Sequence, residues 1–464
     1  FERHRYADAI VFGHAKDGNL HFVISQSFNE EAAVSQYARM MDDIVDLVVR
    51  RYDGALKAEH GTGRNIAPFV ETEWGPEAYA IMRRVKSLVD PENILNPGVL
   101  ISDDPRAHLA HLKTLPAVDD AVDQCIECGY CESRCPSRDL TLTPRQRIVV
   151  RRQMERLRDE RDAGGGLESI EADFDFEALD TCAADGLCAI ACPVGIDTGQ
   201  LVKRLRTARH LPVAHRIADW VARRFATVEQ GVRFGLRLGG SAERVLGPRA
   251  LTAISRLPGL VLRRRTPLWL SPMPGPASGL PRCADRARAA AVYFPSCVSR
   301  TLGRLPGEPE GPSMAQTLVD VAARSGKPVW IPGDVAGHCC GVPFSSKGYR
   351  RAHRTAVNST VERFWAWSDG GRLPIVIDTS PCSHGLRTCR DALDRENQAR
   401  FDALTIVDSV EFAARSLLPA LTVRRRLARV VVRPVCAVVR MGLSGDLERI
   451  ARACADEVVV PVDA

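Results

Sequence analysis

Seven of the chain's 15 cysteines lie between Cys125 and Cys192, and their spacing limits the fold more than any other feature. The first run reads Cys125-x2-Cys128-x2-Cys131-x3-Cys135-Pro136. Three thiolates at such short intervals can wrap one iron–sulfur cubane from a single loop, while the fourth points away toward a second cluster. A structural zinc site is the other reading, but such sites rarely use four closely spaced cysteines followed by proline. The second run, Cys182-x5-Cys188-x3-Cys192-Pro193, repeats the first except that Asp185 stands where a second cysteine is expected. Crossed ligation assigns Cys125, Cys128, Cys131 and Cys192 to one cluster, and Cys135, Cys182 and Cys188 to the other. The second cluster is then [3Fe-4S], or [4Fe-4S] with Asp185 or water on the fourth iron. Carboxylate is a poorer ligand than thiolate for such iron, so a solvated loop role for Asp185 stays open. Clustered C-x-x-C spacing in a long chain means metal rather than disulfides, and implies a reducing, cytoplasmic setting.

A third set comprises Cys297, the adjacent pair Cys339-Cys340 followed by Gly341, and Cys382 in Asp378-Thr379-Ser380-Pro381-Cys382. Adjacent thiolates splay apart, so each can reach a different iron, and Gly341 permits close backbone approach. A buried apolar cysteine pair is the alternative. Cys283, Cys389 and Cys454 belong to no motif and read as structural.

At 464 residues the chain exceeds a single core, and about three domains are expected. Residues 1–100 mix strand and helix patterns: a hairpin around Asp17-Gly18, then helical periodicity over Ala32–Tyr52 and Glu77–Val89. Residues 101–200 are short helical pieces between cysteines. Residues 201–290 form an arginine-rich helical linker ending in a Pro/Gly-rich stretch. From 291 to 464 strand–helix alternation predicts α/β layers. The whole is an α+β multidomain chain. It opens at Phe1, so any upstream targeting segment lies out of sight. No apolar run reaches the roughly 18 residues of a membrane span.

Charge is uneven. Residues 201–290 hold 18 Lys/Arg against 4 Asp/Glu, whereas the whole chain sums to +6. The positives follow helical spacing without regular aromatic interleaving. That disfavours nucleic acid and fits a solvated or membrane-facing segment.

Within 291–464 a weak repeat pairs Val292–Cys297 with Val430–Cys436, and it divides the region into 291–395 and an incomplete 396–464. Cys339 follows Pro332 by seven positions, and the same offset from Pro461 runs past Ala464. Chance similarity of two α/β strands is the other explanation.

The N-terminal hairpin suggests chemistry of its own. A two-residue type I′ turn at Asp17-Gly18 would set His14 directly opposite His21, with Cβ atoms roughly 5 Å apart and able to share a metal. Glu59-His60-Gly61-Thr62-Gly63-Arg64 adds a carboxylate and a candidate general base. A cross-strand histidine pair without metal is the plainer reading.

These segments, together with Asn93-Ile94-Leu95-Asn96-Pro97-Gly98, resemble the C-terminal part of FAD-linked oxidases of the vanillyl-alcohol oxidase type, and more specifically D-lactate and D-2-hydroxyglutarate dehydrogenases. The cysteine runs resemble the two-cluster ferredoxin-like domain that follows in fused FAD/iron–sulfur members. The last region resembles the Cys-Cys-Gly domains of heterodisulfide reductase and glycolate oxidase iron–sulfur subunits. The resemblance implies that His14, His21 and Glu59 hold a divalent metal, Zn or Mn, and that His60 is the base. It implies that Arg64 and Asn96 lie on segments approaching FAD, with most flavin contacts outside this chain. It further implies two ferredoxin-type clusters and a third at the Cys-Cys-Gly motif, where Gly385 replaces an expected cysteine. The activity implied is oxidation of a D-2-hydroxy acid, D-lactate foremost. Electrons would pass to a quinone or cytochrome, with peripheral contact at the inner face of the membrane. A non-catalytic electron-transfer subunit is the rival; it would have the clusters but lack the His14/His21/Glu59/His60 block.

Overall fold

A computed structural model describes residues 1–57, 59–160, 164–261 and 268–461. The chain forms two compact units, one of Phe1–Val118 with Arg151–Ala163, the other of Asp119–Val150 with Gly164–Ala464.

In the first unit, strands β1 (Ile10–His14) and β2 (Asn19–Val23) pair antiparallel. The β-branched and aromatic run Ile10-Val11-Phe12 and its partner Phe22-Val23 favour extended backbone. The connection corrects the expected two-residue turn. Four residues, 15 to 18, form the loop, and the N–H groups of Asp17 and Gly18 both donate to the His14 carbonyl at 2.9 and 3.0 Å. Gly18 takes φ 66°, which glycine adopts without a Cβ penalty. His14 therefore faces Asn19, and His21 faces Phe12. The register differs from expectation by two residues. A shift of two keeps every side chain on its face, whereas a shift of one would have reversed them.

Helix Glu31–Val45 buries Met40 and Met41 against Tyr6 and Ile66, forming a small core. Helix Val70–Val89 kinks at Gly75 (φ 80°, ψ 160°), where Pro76 also removes a backbone donor. Beyond its end, the Asp90 carboxylate accepts from the N–H groups of Ile94 and Leu95, each at 2.9 Å, and from Lys86. That fixes the turn carrying Asn96 in the left-handed region at φ 46°.

The second unit begins with the cysteine loops and continues through helices Thr198–Arg209, Pro212–Arg223, Phe225–Leu246 and Pro248–Val261. It then forms a four-stranded parallel sheet of β3 (Ala291–Phe294), β4 (Val329–Trp330), β5 (Ile375–Ile377) and β6 (Ile406–Asp408), in the order β4-β3-β5-β6. The residues of β3 and β5 are all buried. Continuous apolar runs of this kind suit a parallel sheet covered on both faces. A separate parallel pair, β7 (Leu427–Val431) and β8 (Ala455–Val459), follows. Both the β3–β4 and β7–β8 connections begin with a short helix opening on cysteine, Cys297–Thr301 and Cys436–Arg440, and continue through a longer one.

Candidate metal and electron-transfer sites

In the first unit the hairpin and the 59–63 loop converge. Glu59 Oε1 lies 3.0 Å from His21 Nε2, 3.1 Å from His60 Nε2 and 3.7 Å from His14 Nε2. One ligand atom from each of His14, His21 and Glu59 lies within 4.8 Å of the others. Stacking of Phe12 on the His21 ring, centroids 5.1 Å apart, orients that imidazole. His21 Nε2 is buried and, among the described residues, makes no well-directed hydrogen bond, despite its short approach to Glu59. The nitrogen and the carboxylate thus aim at a common space rather than at each other, as ligands of one ion do. Partial desolvation opposes ionisation of Glu59, but the three imidazoles and the Asn19 amide outweigh it and hold its carboxyl below the usual range. Asn19 went unnoticed in the sequence. Its Nδ2 donates to Glu59 Oε2 at 3.0 Å while its Oδ1 accepts from the His14 N–H at 3.0 Å. Asparagine just past a hairpin loop is the one signal that could have marked it. Arg64 and Asn96 are exposed on their own segments.

In the second unit, Cys125, Cys128, Cys131 and Cys192 line one pocket. Cys135, Cys182, Cys188 and Asp185 line another. The two loops share a backbone conformation. Glu127 and Ala184 are both left-handed (φ 60° and 50°), and Gly129 and Gly186 follow at φ 88° and 74°. Cys135 and Cys192, each before proline, have nearly identical dihedrals of −82°, 124° and −80°, 124°. Asp185 therefore occupies the place that Cys128 holds in the first loop. The N–H of Glu127 donates to Cys125 Sγ at 3.4 Å, and that of Ala184 to Cys182 Sγ at 3.3 Å.

The second pocket also takes Arg147, which sequence reasoning passed over among the many arginines of its helix. It is 2% exposed, and its Nη1 donates to Cys135 Sγ at 3.8 Å. Its Nε and Nη2 have no protein partner among the described residues. A buried cation left this incomplete needs an anion nearby, and a thiolate-ligated cluster is one. Burial, and then the Asp197 carboxylate, push the Cys188 thiol up to about 11. The residues of both pockets fit iron–sulfur clusters.

The third cysteine set lies at the carboxyl ends of the parallel strands. Cys297 follows β3, the Cys339-Cys340 pair follows β4, and Cys382 follows β5. Such ends, where strand order reverses, are the usual binding crevices of α/β sheets. Cys340 Sγ lies 3.0 Å from Cys382 Sγ, and the N–H of Gly341 donates to Cys339 Sγ at 3.4 Å. The neighbouring Cys339 sulfur, followed by burial, pushes the Cys297 thiol up. Asp378 ties β3 to β5 by accepting from Tyr293 Oη at 2.8 Å and the Ser296 N–H at 2.9 Å. A Cβ at Gly385 would come within 2.3 Å of Val342 Cγ2. The space for a fifth cysteine side chain is filled.

Comparison with known proteins agrees with this division. Residues 1–100 match the C-terminal domain of FAD linked oxidases, and residues 121–196 match the 4Fe-4S dicluster domain. The chain therefore carries an FAD-linked oxidase C-terminal domain joined to a dicluster iron–sulfur domain. Among curated relatives, it is 33% identical over 96 residues to glycolate oxidase subunit GlcD of Bacillus subtilis, covering 21% of this chain and 20% of that protein. It is 36% identical over 87 residues to D-lactate dehydrogenase of Anaerostipes hadrus, covering 19% and 18%. Against D-2-hydroxyglutarate dehydrogenase of Escherichia coli it is 27% identical over 271 residues, covering 47% and 26%. The chain thus spans about a quarter or less of the length of these relatives. No solved structure matches it significantly.

Proposed function

We propose that the chain is part of an FAD- and iron–sulfur-dependent D-2-hydroxyacid dehydrogenase, with D-lactate the first candidate substrate and D-2-hydroxyglutarate the second. One observation carries the reading: His14, His21, Glu59 and His60 converge on a single point, in a chain that also holds two cysteine pockets. A Zn or Mn ion held by His14, His21 and Glu59 would act as a Lewis acid toward the substrate's 2-hydroxyl, and FAD would accept the hydride. His60 removes the hydroxyl proton at Nε2, and Glu59 Oε1 beside it stabilises the imidazolium that results. Asn19 keeps Glu59 turned toward the histidines. Clusters held by the cysteines of the two pockets would supply one-electron transfer from the flavin toward a quinone or cytochrome. The Cys297/Cys339/Cys340/Cys382 set would hold a third cluster on that route. A cytoplasmic protein touching the inner membrane face fits such an acceptor.

The test uses the whole protein, FAD included, mixed anaerobically with a panel of D- and L-2-hydroxy acids. Flavin bleaching by one D-acid is expected. His60→Ala should slow it by about 10²–10⁴-fold, as loss of a general base does, with iron content unchanged. His14→Ala should likewise abolish bleaching while iron is retained. A whole protein inert to every acid, yet reducible by a partner flavoprotein, would favour the electron-transfer subunit instead. Loss of iron with bleaching retained would reverse the assignment of the hairpin.

A further inference from the structure

The second cluster pocket obtains three thiols and one carboxylate from its own two loops. The carboxylate is Asp185, at the place equivalent to Cys128. Its Oδ1 accepts from the N–H of Leu187 at 3.1 Å, which closes the turn. Its Oδ2 is buried and makes no well-formed hydrogen bond among the described residues.

A segment distant in sequence is pinned against this corner. Arg440 Nη1 donates to the Asp185 carbonyl at 3.0 Å and lies 3.9 Å from Asp197 Oδ2. It also fills the space beside Gly186, where a Cβ would fall 2.1 Å from Nη1. Gly186, left-handed at φ 74°, leaves that space to the guanidinium. Arg440 ends the helix Cys436–Arg440, and Cys436 begins it. Cys436 lies one helical turn before Arg440, on the same side of that helix, so it stands beside Asp185. A further cysteine, carried by the β7–β8 segment rather than by the cysteine runs, thus neighbours the residue that occupies the pocket's deficient corner.

We infer that Cys436 supplies the missing thiolate of the second cluster, completing Cys135, Cys182 and Cys188 as the ligands of a [4Fe-4S] centre. Asp185 then acts as a positioning residue. On ligation the thiol S–H bond breaks, an Fe–S bond forms, and the proton passes to the Asp185 carboxylate and on to solvent. No electron is transferred. The inference rests on the reading of this pocket as the second iron–sulfur site. It explains how a thiolate cluster persists where the loop itself carries a carboxylate, the poorer ligand for such iron.

The test is iron analysis with low-temperature EPR on the holoprotein, purified anaerobically and then oxidised with ferricyanide. Wild type should hold two cubanes and show no [3Fe-4S] signal. Cys436→Ala should lose one iron per chain and gain that signal. Cys436→Ser, closer in size, covers the case in which alanine loosens the β7–β8 segment. Asp185→Asn should keep both cubanes, and the double variant Cys436→Ala/Asp185→Cys should regain the lost iron. A silent, fully loaded Cys436→Ala protein would overturn the assignment, as would a [3Fe-4S] signal produced by Asp185→Asn alone. Failure of the underlying reading looks different: Cys135→Ala and Cys182→Ala would then leave iron unchanged.

Discussion

Arg147 shows how much a single side chain contributes to a charged site. Its guanidinium is buried beside Cys135 with two nitrogens that have no partner among the described residues, so the pocket is electrostatically incomplete without an anion. A charge-assisted hydrogen bond contributes about 1.5–3 kcal/mol, and the more negative reduced cluster gains more from it than the oxidised one. Arg147→Met should therefore lower the midpoint potential of the second cluster by up to about 60–130 mV, the one-electron equivalent of that energy. The measurement is an EPR-monitored redox titration, and an unchanged midpoint would remove Arg147 from the site. Nothing in the sequence separates Arg147 from the other arginines of its helix, because burial depends on what folds over it. The cysteines were legible because ligand spacing is local. Cys436 was not, because only tertiary packing brings it to Asp185. The hairpin falls between these cases. Strand parity placed His14 and His21 on one face, but loop length, which sets register, could not be read from Asp17-Gly18 alone.

At the level of elements, the helices Pro212–Arg223 and Phe225–Leu246 leave apolar side chains in solvent. Val213, Ile217 and Trp220 are exposed at spacings of four and three, and Phe234, Leu238 and Val245 at spacings of four and seven. Arg216, Arg223, Arg237 and Arg244 are exposed among them. An apolar stripe flanked by basic residues is the build of a helix that lies on an anionic interface. Among the described residues no helix is long and apolar enough to cross a membrane. Each basic residue near an anionic leaflet adds about 1 kcal/mol, screened over about 10 Å at 0.1 M salt. The protein should float with phosphatidylserine vesicles at low salt and release at high salt, and Trp220→Ala should weaken binding at both. Equal flotation with neutral vesicles would eliminate the proposal. The helical periodicity and charge of this segment were readable in advance. The exposure of its apolar face was not, since the same pattern ordinarily packs against a core.

At the scale of the molecule, the two kinds of chemistry fall in different compact units. The His/Glu site belongs wholly to Phe1–Val118, and all three cysteine sets belong to the other unit. Each has its own apolar cluster, Tyr6, Met40, Met41 and Ile66 in the first, and the buried strands β3 and β5 in the second. The residues proposed to hold a divalent ion and those proposed to hold iron are therefore contributed by separate cores. The buried sulfurs Cys135, Cys188, Cys339, Cys340 and Cys382 must be ligated or protonated, so loss of iron is felt first in the second unit. Whole protein prepared without iron, but supplied with FAD and the divalent metal, should consequently still bleach its flavin with the substrate acid in a single turnover. Reduction of a quinone acceptor should fall to background, and the thermal transition of the second unit should move down while that of the first stays in place. Rapid-mixing absorbance and calorimetry on the same preparation read both effects. If bleaching disappears together with quinone reduction while the first unit remains folded, the cysteine sites take part in substrate oxidation itself, and the assignment of that step to the His/Glu site fails.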